Sequence, residues 1–518
     1  MTGLWSALSG ASPKGTVRPS ALAGTWYPSS PAILLATAHD LMRQAAAAPR
    51  PAGRPVALVV PHAGWAYSGT VAAAAFRLLA PGSFERVVVV APSHHGGFEG
   101  YALDESTAWR TPLGEVPLDR AALEELAEAG LSRAVPGVGG PEHAVEIEVP
   151  FLQAALGPFR LVPVLAGRVD AAGQAAFAAR LARLDDGKTL FVFSTDFTHY
   201  GPRFEYEPFG PTGGARARIR SLDAEAIGLL SRLDADGFRA FVRRHDATIC
   251  GRTGLATMLE LLSRIAPKAQ ATLLAHWASG EMPGVRDDAS VDYASLCFTR
   301  DGAAERAALT VPPAMKKVDP AAPPLPEKVG RALVRLARGA LEADLAGDTT
   351  LLASALGELA DVPEASRLQA VFVTLKNTDP REIARSGDLR GCIGQVEPAY
   401  PLDLAVAKSA LDAALGDPRF PPVEARELPR LSVEVTVLSP IVPVSSWTEI
   451  RIGTHGIVLE KAGRRALFLP QVAVEQRWSL EETLDHLGRK AGLSPGDWRS
   501  GARFSVFTGP VFHEERPR

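Results

Sequence analysis

Four short apolar runs, rich in β-branched residues, set the fold of the N-terminal part of the chain: Val56–Val60, Arg86–Val90, Arg160–Leu165 and Thr189–Phe193. Each is too short for a helix and too apolar for a strand with one wet face. They read as buried strands of a largely parallel sheet. Between them, Thr70–Leu79, Arg120–Ala129 and Ala171–Leu184 carry helix-forming composition. This alternation predicts a layered α/β domain.

Polar residues gather where these strands end. Val56–Val60 runs into Pro61-His62-Ala63-Gly64, Arg86–Val90 into Pro92-Ser93-His94-His95, and Thr189–Phe193 into Ser194-Thr195-Asp196-Phe197-Thr198-His199. In an open α/β sheet the carboxyl ends of parallel strands share one edge, and ligands bind there. His62, His94 or His95, Asp196 and His199 are therefore expected to converge. Imidazoles beside a carboxylate suit a first-row transition metal. Two His with one carboxylate would suit non-haem Fe(II), and two His with a thiolate would suit Zn, Cu or Fe. Cys250, in Thr248-Ile249-Cys250-Gly251-Arg252, is either that thiolate or a small buried apolar residue, and the following glycine allows a close backbone approach. Cys297 reads as core.

Glu142 and His143 open the stretch Glu142-His143-Ala-Val-Glu146-Ile-Glu148. Glu142, His143 and Glu146 are expected on one helical face, either as a carboxylate orienting an imidazole or as a solvated helix start. Trp26 and Tyr27 read as core packing.

From Val311 to Pro326 six prolines fall within 16 residues, which predicts a semi-rigid linker. Beyond it, helices over Lys328–Asp344 and Asp403–Leu415 and strands over Arg430–Val437, Gly456–Leu459 and Arg465–Leu469 predict an α+β unit with antiparallel pairing. There Leu389-Arg390-Gly391-Cys392-Ile393-Gly394 places a cysteine between glycines. The backbone either turns tightly or admits a close neighbour. Arg390 could lower the Cys392 pKa from alongside, making a nucleophile or redox thiol, or the thiol is simply buried. His455 and His486 are its candidate partners.

With 55 Lys+Arg against 58 Asp+Glu and a net charge of −3, no overall field draws the molecule to nucleic acid or an anionic membrane. Three cysteines make no disulfide framework, the start lacks a signal-like apolar stretch, and no apolar run approaches the roughly 18 residues that span a bilayer. A cytoplasmic protein is expected.

Gly24-Thr-Trp-Tyr-Pro28, Pro61-His-Ala-Gly64 with Tyr67-Ser-Gly69, Pro92-Ser-His-His95, Thr111-Pro-Leu-Gly114, Glu142-His143, Asp196-Phe-Thr-His199 and Thr248-Ile-Cys-Gly-Arg252 occur in that order. Together they resemble the Memo family over residues 16–302, a family similar in fold to the class III extradiol dioxygenases. The resemblance implies one transition metal, Fe(II) or Cu with Zn as the alternative, held by His62, His94 and Cys250. It also places Asp196 and His199 in the same cleft, and the residues themselves add His95, Glu142 and His143 as further candidate acid–base groups. Cys250 stands where a dioxygenase would carry a carboxylate, which points to a redox or oxygen-linked role other than ring cleavage.

The hexapeptide, with Asp417-Pro-Arg-Phe420, Gly453-Thr-His-Gly456, Phe468-Leu-Pro-Gln471 and Trp478, resembles the AMMECR domain family over residues 327–518. That leaves a tail at 1–15 and a linker at 303–326. Relatives of both domains recur with a radical S-adenosylmethionine protein in the AmmeMemoRadiSam system, which implies such a partner beside a small-molecule or peptide substrate. A non-catalytic peptide- or partner-binding module and a Zn-dependent hydrolase are the competing readings.

Overall fold

The computed structural model of the chain describes residues 16–128, 130–135, 139–279, 289–300, 325–395 and 398–514. Among the described residues, 16–30 and 37–300 form one compact unit, and 31–36 with those from 325 onward form a second. The expected tail at 1–15 lies outside the described residues, as does all of the expected linker at 303–326 except its last two residues.

In the first unit the four apolar runs become β1 (Pro55–Val60), β2 (Arg86–Pro92), β5 (Arg160–Ala166) and β6 (Thr189–Ser194). With β3 (Tyr101–Leu103), β4 (Ser132–Arg133), β7 (His199–Tyr200), β8 (Gln270–Ala278) and β9 (Ser290–Thr299) they form one sheet in the order β7-β9-β1-β6-β2-β5-β3-β4, and β8 pairs with β9. The central strands β1, β6, β2 and β5 run parallel. Antiparallel partners flank them, β9 on β1 and β3 on β5, so the sheet is mixed with a parallel heart. Val56–Val60 and Val87–Val90 are buried throughout, which is why these runs carry no apolar–polar alternation.

One helix starts five residues earlier than its composition suggests. It spans Trp65–Phe76 and takes in Tyr67-Ser68-Gly69. Gly69 is there for space: a Cβ at that position would lie 2.9 Å from Leu41 Cδ1 and 3.3 Å from Trp65 Cβ.

The second unit is α+β as expected. It has two four-stranded antiparallel sheets, one ordered Leu389–Gln395, Val371–Asn377, Leu431–Val437, Val511–His513, and the other Val442–Val444, Arg503–Phe507, Gly456–Lys461, Arg464–Phe468. The last two strands form a hairpin closed by Ala462 (φ 51°) and Gly463 (φ 75°), the paired positive φ values that a two-residue turn of type I′ requires. Helices Glu327–Ala346 and Leu402–Leu415 pack on one another, and the second lies across the first sheet.

The Leu389–Gly394 segment is a strand, not a bend. Its glycines serve close approach: a Cβ on Gly391 would sit 2.1 Å from Ala413 O of the crossing helix, and one on Gly394 2.1 Å from Val371 O of the neighbouring strand. Backbone cannot yield there as a flexible side chain could. Gly391→Ala is expected to destabilise this unit by about 3 kcal/mol, at the upper end of ordinary overpacking. Denaturant unfolding checks it, and a variant as stable as the parent would contradict the crowding.

Candidate metal centre

Parallel register sets up the site. Val60 lies opposite Ser194 and Val90 opposite Phe193, so the residues that follow leave the sheet at one edge. Two residues on, the His62 N–H donates to Asp196 Oδ1 at 2.8 Å. His62 is wholly buried, and its Nδ1 lies 2.8 Å from Ser194 Oγ, so its Nε2 is left facing the site.

Two further imidazoles meet it. The ring centroids of His62 and His94 lie 5.1 Å apart, those of His62 and His143 5.4 Å, and those of His94 and His143 4.3 Å. One nitrogen from each of the three lies within 4.8 Å of the others. Behind them stands Glu142, with a fully buried side chain. It accepts from the backbone N–H groups of His94 (2.6 Å), His143 (2.9 Å) and Ala144 (3.0 Å). The same carboxylate lies 3.0 Å from His94 Nδ1 and 3.3 Å from His143 Nδ1. Burial would raise the Glu142 pKa, but the hydrogen bonds and imidazole charges outweigh it and hold the group at about 2. A carboxylate fixing the far nitrogen of an imidazole is the usual support behind a metal ligand.

Glu142 and His143 therefore do not share a helical face with Glu146. They sit in a loop, and the helical turn opens only at Glu146. Glu146 instead faces Arg18, Ser20 and Tyr27. Tyr27 is core as expected, but Trp26 is partly exposed and lies 4.6 Å from the His143 ring.

Cys250 reaches the site through His62, its Sγ 3.2 Å from His62 Nε2. The Asp196 N–H donates to that sulfur at 3.1 Å. Gly251 makes the approach feasible, since a Cβ there would stand 2.4 Å from Thr195 Cβ and 2.9 Å from Ser194 O. Burial, then the Asp196 charge, pushes the Cys250 thiol far up, so it stays protonated in the absence of a cation. Burial likewise lifts Asp196 to about 7. His199 sits beside them with Nδ1 3.0 Å from both Phe197 O and Thr248 O, which makes Nδ1–H the donor and leaves Nε2 open. His95 is at the rim, its ring 6.4 Å from that of His143.

The donor set suits a transition metal. Nε2 of His62 and Sγ of Cys250 are separated as two ligands of one ion would be, given bonds of about 2.0 and 2.3 Å. Ser194 and Glu148 form a supporting layer that the sequence reading missed. Ser194 Oγ is 3.0 Å from Glu148 Oε1, and burial keeps Glu148 well above the usual carboxylate range.

The Memo-like protein family matches residues 18–297, more than half of the chain. The chain belongs to that family. AMMECR1 matches residues 334–512 of the same chain, so a Memo-like domain and an AMMECR1 domain are fused here. The chain is similar to Protein MEMO1 of Danio rerio, 31% identical over 255 residues that cover 48% of this chain and 85% of that one. It is also similar to a protein of Methanothermobacter thermautotrophicus, 40% identical over 200 residues, or 37% of this chain and 97% of the relative. Among solved structures it is similar to a protein of Pyrococcus horikoshii, at 37% identity and a TM-score of 0.33, covering 38% of this chain and 95% of that chain.

In the AMMECR1 domain, Arg390 does not serve Cys392. Its guanidinium pairs with Glu427 at 2.9 Å and donates to Pro421 O at 3.0 Å. Cys392 Sγ instead accepts from Thr374 Oγ1 at 3.3 Å, its N–H donates to Asp417, and Arg419 donates to its carbonyl. His455 accepts from the Arg451 N–H, and His486 stacks on Trp478 at 3.8 Å. Among the described residues no helix is long and apolar enough to cross a membrane.

Proposed function

We propose that the Memo-like domain holds one transition metal, Fe or Cu rather than Zn, through His62, His94 and Cys250, with His143 as a fourth donor in reach. The domain would then run a redox or oxygen-linked reaction on a fold of the extradiol dioxygenase kind. The carrying observation is that one nitrogen each of His62, His94 and His143 lies within 4.8 Å of the others, that Ser194 and Glu142 hold Nδ1 of His62 and His94, and that Cys250 Sγ lies 3.2 Å from His62 Nε2. When bound, the metal would supply Lewis acidity and one-electron chemistry, and it would hold Cys250 as thiolate against the pull of burial. Thiolate donation weakens the Lewis acidity that a hydrolase needs.

The chain's own groups would move protons. Asp196, near 7, can exchange one around neutral pH, while the backbone N–H of His62 fixes its carboxylate. His199, its Nδ1–H held by Phe197 O and Thr248 O, would use Nε2 to accept or give a proton. Trp26 and His143 form one wall, where a flat or aromatic substrate would stack.

Elemental analysis of the full chain tests the reading. The parent protein should carry about one Fe or Cu at this centre, and His62→Ala and Cys250→Ala should each lose most of it. Metal retained in His62→Ala at the parental ratio would overturn the assignment.

A further inference from the structure

A second cluster of ligating side chains lies beneath the segment that carries Asp196 and His199. Asp223 comes from helix Thr212–Ser231, His276 from β8 and Asp292 from β9, and all three are buried. His276 Nε2 lies 3.6 Å from Asp223 Oδ2 and 3.7 Å from Asp292 Oδ2. These separations are too long for hydrogen bonds. Two ligands on one tetrahedral ion, with bonds of about 2.0–2.2 Å, stand roughly 3.3–3.6 Å apart, close to what is seen. His276 Nε2 has no hydrogen-bond partner among the described residues and faces the gap, where Asp223 and Asp292 meet as a hydrogen-bonded carboxyl pair.

The outer atoms, by contrast, are tied. Asp223 Oδ1 accepts from Thr198 Oγ1 at 2.6 Å and from the Thr198 N–H at 3.3 Å, and Ser290 Oγ donates to Asp292 Oδ1 at 3.4 Å. Each carboxylate thus has one oxygen anchored and one turned inward, as a ligand supported from behind has.

We propose that Asp223, His276 and Asp292 form a second, structural metal site that takes one divalent first-row transition cation. Two carboxylates and a neutral imidazole match a 2+ ion in charge, which removes the difficulty of burying two facing carboxyls. Without a cation, burial pushes Asp223 up to about 6, and burial, then the Asp223 charge, pushes Asp292 well above the usual carboxylate range. The site's work would be to clamp the catalytic edge. The Phe197 N–H donates to Asp292 O at 2.8 Å, and the Asp292 N–H donates to Thr198 O at 3.0 Å. An ion here pins helix Thr212–Ser231 and strands β8 and β9 to the Asp196–His199 segment.

The full chain, stripped with a chelator and reloaded with Zn²⁺ alone, tests this. Metal analysis should give two Zn per chain, falling to one in Asp292→Asn and to one in His62→Ala. Crystals of the Zn-loaded parent should show anomalous density among Asp223, His276 and Asp292, which decides the matter even if Asp292→Asn fails to fold. Density at the His62 centre but none at this cluster would overturn the second site and leave the first standing. Density at the cluster alone would do the reverse.

Discussion

Glu142→Ala should lower the metal affinity of the His62–His94–His143 centre about 100-fold and destabilise the Memo-like domain by about 3 kcal/mol. Both figures follow from how many groups lean on one carboxylate. Substitution of an outer partner behind metal-ligating histidines commonly lowers affinity 10–100-fold. Here one side chain supports two imidazoles at once, His94 at 3.0 Å and His143 at 3.3 Å, which argues for the upper end. The stability loss comes from the backbone. Three N–H groups, those of His94, His143 and Ala144, lose their acceptor, and each unsatisfied buried donor costs about 1–3 kcal/mol. Since His94 is partly exposed, water can satisfy some of them, so the lower end applies. Glu142→Gln separates the two effects. Its amide oxygen can still accept from backbone N–H groups, so most of the stability should return while metal binding stays weak. Competition against a chromogenic chelator gives the affinity and denaturant unfolding gives the stability. Parental metal affinity in Glu142→Ala would exclude the support role.

The sheet was legible because burial on both faces leaves an unbroken apolar run, a signal that needs no knowledge of neighbours. Strand ends were legible for the same reason, and with them His62, His94 and Asp196. What the sequence hides is whatever depends on loop path. Glu142 and Glu146 stand four apart, a spacing that suggests one helical face, yet the helical turn starts only at Glu146 and the two carboxylates face different partners. In the sequence the glycines of the Leu389–Gly394 segment allow either a tight turn or a close neighbour, because glycine's conformational freedom and its small volume give the same letter. Only the crossing helix shows that volume is what matters. The Asp223–His276–Asp292 cluster left no trace, since its members come from a helix and two strands whose patterns each read as ordinary secondary structure.

The largest stability change is expected at Glu146, a residue that touches no ligand. It accepts from Arg18 Nη1 (2.6 Å), Ser20 Oγ (2.8 Å), the N–H groups of Ala21 and Leu22 (both 2.9 Å) and Tyr27 Oη (2.8 Å). Arg18 is as buried as its partner, and it also donates to Gly140 O and Glu142 O while lying 4.0 Å over the Trp109 ring. Removing one member of a buried ion pair leaves an uncompensated charge, which costs about 3–5 kcal/mol. Glu146→Ala should therefore lower the unfolding midpoint of the Memo-like domain by about 6–20 °C, at roughly 2–4 °C per kcal/mol for a domain of this size class. The pair also has a pH signature. Burial would raise the Glu146 carboxyl, but Arg18 and the hydrogen bonds overcome it and hold the group below its ordinary value of 4.5. A depressed folded pKa stabilises above the unfolded pKa, and that contribution is lost as pH falls through the folded one. Parental stability should thus decline below about pH 4.5, and Glu146→Gln should show a shallower decline from a lower starting point. Because Arg18 reaches the Glu142 carbonyl, the loop bearing His143 should loosen too, with a smaller fall in metal affinity than Glu142→Ala produces. A Glu146 variant that matches the parent in midpoint and acid slope would show that the Arg18 pair does not hold this loop in place.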